Sequence, residues 1–203
     1  MGISPDIIVM RADEPVSMDI KEKISLFCNV KEDCVIENRT VPVLYEAPVM
    51  LEESGFSKIV CRELGIKTGP CNMRDWQEML KRIENRKKTV KITITGKYVK
   101  LHDAYISVAE AIKHGGYENG YRIDINWVEA EEVTEDSAAT IFKDSAGILV
   151  PGGFGDRGIE GKILAAEYAR ENDVPYLGIC LGMQTAAIEF ARNVLGISDA
   201  CSA

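Results

Sequence analysis

The run Val174-Pro175-Tyr176-Leu177-Gly178-Ile179-Cys180-Leu181-Gly182-Met183-Gln184 passes from a short apolar stretch, through a turn of small residues, into helix-forming sequence. Residues 174–179 read as a short strand and residues 181–194 as a helix, which puts Cys180 at the apex of a strand-to-helix turn. Glycines on either side allow such a turn to be strained and to project the side chain between them. A cysteine at a helix N-terminus is favoured as thiolate, because the positive end of the peptide dipoles and the free N–H groups stabilise negative charge. A buried cysteine flanked by packing glycines would leave the same pattern. The turn therefore needs a partner before it points to chemistry.

That partner lies upstream. Residues 147–150 form another short apolar run, and Pro151-Gly152-Gly153-Phe154-Gly155 follows it directly. A glycine loop at the end of a buried strand exposes backbone N–H groups, and acyl transfer needs donors of this kind for the oxyanion of a tetrahedral intermediate. The natural pair is the N–H of Gly153 and that of Leu181, the residue after the nucleophile. The alternatives are a simple glycine-rich turn or a phosphate loop, although no G-x-x-x-x-G-K-[ST] pattern occurs in the chain.

Working further outward, residues 90–95 read as a strand, 104–113 as a helix with Ile106, Val108, Ala109 and Ile112 inward, and 121–128 as a strand. Residues 137–142 and 160–170 read as helices. Strands alternating with helices predict an α/β fold, an open and mostly parallel sheet with helices on both faces. In such sheets sites form beyond the carboxyl ends of the strands. The rule gathers loops 96–103 and 151–158 and the turn at Cys180 at one edge. A thiolate hydrolase also needs a general base, and the chain has two histidines. His114 is expected in a last helical turn before a stop at Gly115, as a dipole partner. His102 lies on the correct edge, but Leu101-His102-Asp103 also reads as a surface approach to an Asp103 helix cap. Neither is assigned as the base.

Residues 52–89 mix charges, Gly and Pro without a long apolar strand and read as a connector between a first region, 1–51, and the α/β region, 90–203. Within the connector Trp76, Met79, Leu80 and Ile83 fall on one face of a packing helix behind a possible Asp75 cap. With 203 residues, 46% of them hydrophobic, the chain can build one substantial core plus part of another. The formal charge of −8 argues against a nucleic-acid surface. Six cysteines follow no disulfide or zinc spacing, no metal site is expected, and no run approaches the length of a membrane span. No signal peptide is recognised, so reduced thiols in a cytoplasmic protein without membrane or nucleic-acid partners are expected.

The glycine loop and the Cys180 turn together resemble the class I glutamine amidotransferase family. That resemblance implies that Cys180 attacks the side-chain amide of L-glutamine, with Gly152, Gly153, Leu181 and Gly182 around the oxyanion and Phe154, Met183 and Gln184 at the glutamine pocket. The longer strings Gly152-Gly153-Phe154-Gly155-Asp156-Arg157-Gly158-Ile159-Glu160-Gly161-Lys162 and Gly96-Lys97-Tyr98-Val99-Lys100-Leu101-His102-Asp103-Ala104-Tyr105 look like the CTP synthase family in particular. Residues 5–11 and 21–30 are similar to the last part of that family's P-loop-type α/β amidoligase domain. The resemblance implies ATP-dependent amination of UTP to CTP, with Lys23 matching a pyrimidine-nucleotide position and Arg11, Arg39, Thr40 and Val41 matching ATP-side positions. Thr40 stands where an acidic residue is expected. It also implies a homotetrameric parent that uses ATP and Mg2+, whose P-loop and magnesium carboxylates would precede Met1 and whose His-x-Glu pair would follow Ala203. No cofactor is expected within the chain itself, which is expected to be inactive alone. An amidotransferase serving another acceptor, or a regulatory or assembly module that has lost catalysis, remain the other readings.

Overall fold

A computed structural model describes Gly2 and residues 4–201, the side chain of His102 excepted. The chain divides into two compact units, Met1–Glu84 and Asn85–Ala203.

In the first unit β1 (Ile8–Ala12) and β2 (Val35–Arg39) pair in parallel, with Ile8 opposite Val35 and Ala12 opposite Arg39. Between them runs α1 (Met18–Cys28), closed by Asn29 in the left-handed conformation, φ 54°, whose N–H returns to the Ser25 carbonyl. No residue of α1 is buried, and Leu26 and Phe27 stand exposed. The buried apolar residues are Cys34, Val35, Ile36 and Ile83. Three further helices follow: α2 (Ala47–Glu53), α3 (Phe56–Glu63) and α4 (Arg74–Glu84). The stretch read as connector thus carries two helices of its own. On α4 the expected apolar face is present, with Ile83 buried and Trp76, Met79 and Leu80 half-buried, and the Trp76 indole donates to the Tyr45 carbonyl at 2.6 Å. The expected Asp75 cap is not. Asp75 lies inside the first turn, and the Asn72 side chain accepts the Arg74 N–H at 3.1 Å, two residues along as an Asx turn requires.

The second unit follows the predicted alternation: β3 (Lys88–Gly96), α5 (Ile106–Asn119), β4 (Tyr121–Glu129), α6 (Glu135–Phe142), β5 (Gly147–Val150), α7 (Ile159–Glu171), β6 (Tyr176–Gly178) and α8 (Leu181–Asn193). All four strands are parallel, in the order β4-β3-β5-β6. The step from β3 to β4 and the step from β4 over β3 to β5 run in opposite directions. Right-handed crossovers then place α5 on one face and α6 on the other, where α6, α7 and α8 pack in series. The core on that second face joins Val128, Ile148 and Val150 of the sheet to Phe142, Ala165 and Ala169 of the helices. The open parallel sheet with helices on both faces is as the sequence led us to expect.

The element ends moved for identifiable reasons. Thr134 and Ser137 form a reciprocal capping box, which starts α6 two residues before the predicted 137. Before α5 a tight turn, His102–Tyr105, ends in Tyr105, and the helix N-cap is Tyr105 with no side-chain cap, so Asp103 does not cap it. Tyr105 takes the first core position, its hydroxyl accepting the Lys97 N–H at 3.2 Å. The inward stripe becomes Tyr105, Ala109, Ile112 and Gly116, which leaves Ile106, expected inward, 56% exposed. The helix does not stop at Gly115 but runs to Asn119, where Gly120 at φ 73° closes it. His114 is therefore inside the helix, against the Tyr117 ring, and is not a terminal dipole partner.

Candidate active site

Cys180 occupies a strained backbone conformation, φ 54° and ψ −108°, between the end of β6 and the first residue of α8. A non-glycine residue held there costs on the order of 1–3 kcal/mol, so its surroundings must impose it. They do so from three sides. The Ile179 N–H donates to the Val150 carbonyl at 2.9 Å, fixing the strand end, and the Met183 and Gln184 N–H groups both reach the Cys180 carbonyl, at 3.1 and 3.2 Å. The Tyr176 hydroxyl donates to the Gly182 carbonyl at 2.8 Å and ties the turn of helix back to β6. Burial pushes the Tyr176 hydroxyl up to about 12. The flanking glycines are dictated by close approach. A Cβ on Gly182 would lie 2.0 Å from the Val150 carbonyl oxygen, and one on Gly178 2.4 Å from the Gly182 carbonyl carbon. No other residue fits at either position without moving β5 or α8.

The glycine loop comes to this turn. A Cβ on Gly152 would be 3.4 Å from the Cys180 Cβ and 3.9 Å from its sulfur, and one on Gly153 would be 3.9 Å from a Leu181 methyl. The Leu181 N–H, in the first turn of α8, has no carbonyl within the helix to receive it. The loop is held from outside by Lys97, whose Nζ donates to the Phe154 carbonyl at 2.8 Å. Arg157 completes the bracing, donating to the Lys97 carbonyl and the Glu131 carboxylate at 3.1 Å each. The three loops assigned to one sheet edge therefore do meet there. Leu181 and Gly182 are buried, whereas Cys180, Phe154, Met183 and Gln184 are exposed.

Sequence reasoning missed three residues at this edge: Lys97, Arg157 and Lys162. The first two entered only within the strings that carry the family resemblance, with no role assigned. Lys162 did leave a signal, since it shares a stripe with Ala165, Ala166 and Ala169, all buried. Its side chain is fully buried and points beneath the loop, with Nζ 3.5 Å from where a Gly153 Cβ would stand. Burial, and then the charge of Lys97, pushes the Lys162 amine below the usual lysine range.

In the first unit, Arg39, Thr40 and Val41 line a cleft of about 540 Å³ together with Asp13, Glu14, Glu46 and Glu53. The Thr40 hydroxyl is hydrogen-bonded to the Asp13 carboxylate, so an acidic group does stand beside the position where the sequence departs from the acid expected. Arg11 turns instead to the Ala12 and Asn38 carbonyls, at 3.1 and 3.3 Å. Lys23 is exposed on α1 and does not line the cleft. Arg39 is the cleft's one basic side chain, set against four carboxylates, and among the described residues no group of His, Cys, Asp or Glu is arranged to hold a metal ion. These residues do not by themselves fit a magnesium triphosphate. Of the two histidines, the His102 side chain is outside the described residues and His114 is engaged on α5.

An elbow cysteine faced by a glycine loop at the carboxyl edge of a parallel sheet defines a class I glutamine amidotransferase domain, and the family model for glutamine amidotransferase class-I matches residues 100–200. The model for the CTP synthase N-terminus matches residues 1–66. The CTP synthase of Ruminiclostridium cellulolyticum is 54% identical over 202 residues, covering 100% of this chain and 38% of that protein. That of Listeria innocua is 53% identical over 203 residues, again 100% of this chain and 38% of the relative. Among solved structures, the glutaminase domain of Trypanosoma brucei CTPS with bound acivicin matches with a TM-score of 0.52 and 45% identity, over 56% of this chain and 44% of that one. The chain belongs to the CTP synthase family and spans about 38% of the length of the curated relatives it matches. Among the described residues no helix is long and apolar enough to cross a membrane.

Proposed function

We propose that this chain carries the nucleophile and the oxyanion donors of the glutamine-hydrolysing half of a CTP synthase. The observation that supports it best is the strained, exposed Cys180 with Gly152 packed against it at 3.4 Å from Cβ to Cβ position. In this reading the Cys180 thiolate attacks the glutamine δ-carbon, forming a C–S bond and moving the carbonyl electron pair onto oxygen. The Gly153 and Leu181 N–H groups receive that oxyanion, with Gly152 and Gly182 shaping the cradle. Collapse expels the nitrogen as ammonia once it has gained a proton, and water then releases glutamate from the thioester. Phe154, Met183 and Gln184, exposed around the cysteine, hold the glutamine. The acivicin bound to the trypanosomal glutaminase domain supports an amino-acid ligand at this edge.

The ammonia then displaces phosphate from UTP phosphorylated at its 4-oxygen, giving CTP. This acceptor is favoured over others by the match of residues 1–66 to the CTP synthase N-terminus, which a free-standing amidotransferase would lack. Lys23 and Arg11, with the Arg39-Thr40-Val41 edge of the first unit, are the nucleotide contacts of this proposal. ATP, UTP, CTP and Mg2+ belong to the whole polypeptide, a homotetramer in this reading. The six free cysteines suit a reducing, cytoplasmic setting.

In this reading the base that would activate Cys180 and protonate the leaving nitrogen is none of the described residues, and the 203 residues alone are proposed to be catalytically incomplete. Ammonia release from glutamine decides the matter. The full-length polypeptide should release ammonia and lose at least a thousandfold in rate on Cys180→Ser, an order of magnitude set by loss of the nucleophile, while the 203-residue chain stays at background. Full activity in Cys180→Ser would refute the assignment.

A further inference from the structure

Lys162 sits in the first turn of α7 with its side chain fully buried, and its Nζ has no hydrogen-bond partner among the described residues. No carboxylate lies within ion-pair distance of it there either. Three features oppose a cation in this place. Water is excluded, the N-terminal end of a helix is itself positive, and Lys97 adds a like charge from the other side of the loop. A methionine of the same length would fill the space at less cost. What the amine faces is the backbone of Gly153, with its Nζ 3.5 Å from the position of a Cβ there, on the side of the loop that also meets Leu181.

We propose that Lys162 is a positioning residue for acyl transfer: it braces the Gly152-Gly153 turn from beneath and presents positive charge to the anionic tetrahedral adduct on Cys180. The proposal rests on the reading of Cys180 as nucleophile. Its logic is differential. The charge is uncompensated while the site is empty and becomes compensated when the amide oxygen turns anionic, so it stabilises the adduct more than the resting enzyme. Because the amine is buried, water screens that interaction poorly. A group kept for this purpose lowers the stability of the fold, whereas a structural lysine would raise it.

The test compares wild type with Lys162→Met in the full chain, using two electrophiles. Acivicin is attacked at its chlorinated ring carbon, so that a C–S bond forms, the ring nitrogen carries the negative charge, and that pair returns as chloride leaves. Iodoacetamide is displaced in one step, iodide taking the charge away with no adduct anion beside Gly153. Lys162→Met should raise the melting temperature and lower the maximal rate of Cys180 labelling by acivicin about tenfold, less than loss of a direct oxyanion donor. The half-saturating acivicin concentration and the iodoacetamide rate at Cys180 should stay unchanged. An unchanged acivicin rate, a fall matched by iodoacetamide, or a lower melting temperature would each overturn the role of Lys162 while leaving Cys180 as nucleophile. Failure of acivicin to label Cys180 in wild type would overturn both.

Discussion

Tyr176 shows how a single side chain secures the strained cysteine. Its hydroxyl holds the Gly182 carbonyl, so Tyr176→Phe should cost about 1 kcal/mol near neutral pH, the net worth of one hydrogen bond, measured by urea unfolding. The pH dependence has a definite sign. Burial raises the folded hydroxyl to about 12 against an ordinary value of 10.0, so between those two pH values the unfolded chain has lost a proton that the folded chain keeps. Stability from this group is complete below pH 10 and is lost as pH rises toward 12. Wild type should therefore lose more stability over that window than Tyr176→Phe, and the gap between them should close and then reverse. A constant gap would mean the hydroxyl is not buried as described. At this scale the elbow around Cys180 was legible, because Gly178 and Gly182 make contacts that no larger residue tolerates. Lys162 was passed over because a lysine is ordinarily solvated, although its place on an alanine stripe marked it as buried. The nucleotide residues came from resemblance alone. No local pattern singles out Lys23 or Arg11, and the structure gathers only Arg39, Thr40 and Val41 into one cleft.

Between elements, the most consequential polar contact joins the two helices that carry the site. Arg170 on α7 donates to Glu189 on α8 at 2.9 Å, Asn193 adds a second donor at 3.1 Å, and Glu189 is 3% exposed. Arg170→Met keeps the aliphatic stem but leaves that carboxylate buried without its cation, at a cost of about 2 kcal/mol. Adding Glu189→Gln should recover part of the loss, since the remaining group is then neutral. Urea midpoints for the two variants check this, and a double variant less stable than Arg170→Met alone would contradict it. Strand and helix identities in the second unit were readable from periodicity, but their ends were not. Thr134 and Ser137 cap each other by a geometry that a search for acidic N3 partners overlooks. Ile106 and His114 were misplaced because the core phase of α5 is set by Tyr105, one residue before the helix, and its end by Gly120.

Over the whole molecule the two family matches fall in different compact units, residues 1–66 in Met1–Glu84 and residues 100–200 in Asn85–Ala203. Within the second unit β6 is an edge strand among the described residues, and the elbow at its carboxyl end is open to solvent, as are Leu177 and Ile179 beside it. Parallel strands are ordinarily covered on both sides, and in this chain the elbow and the residues beside it are exposed. That openness makes the central assignment easy to test against internal controls. Cys28, Cys71 and Cys201 are exposed like Cys180, whereas Cys34 is buried with its thiol raised by burial and by Asp33 and Glu63. Access alone therefore does not distinguish Cys180 from three other thiols. The direct measurement is peptide mapping by mass spectrometry after brief exposure of the full chain to acivicin, with and without excess glutamine. A single adduct on Cys180, suppressed by glutamine, is the expected result. Adducts spread over Cys28, Cys71 and Cys201, with Cys180 reacting no faster than they do, would contradict its role as nucleophile.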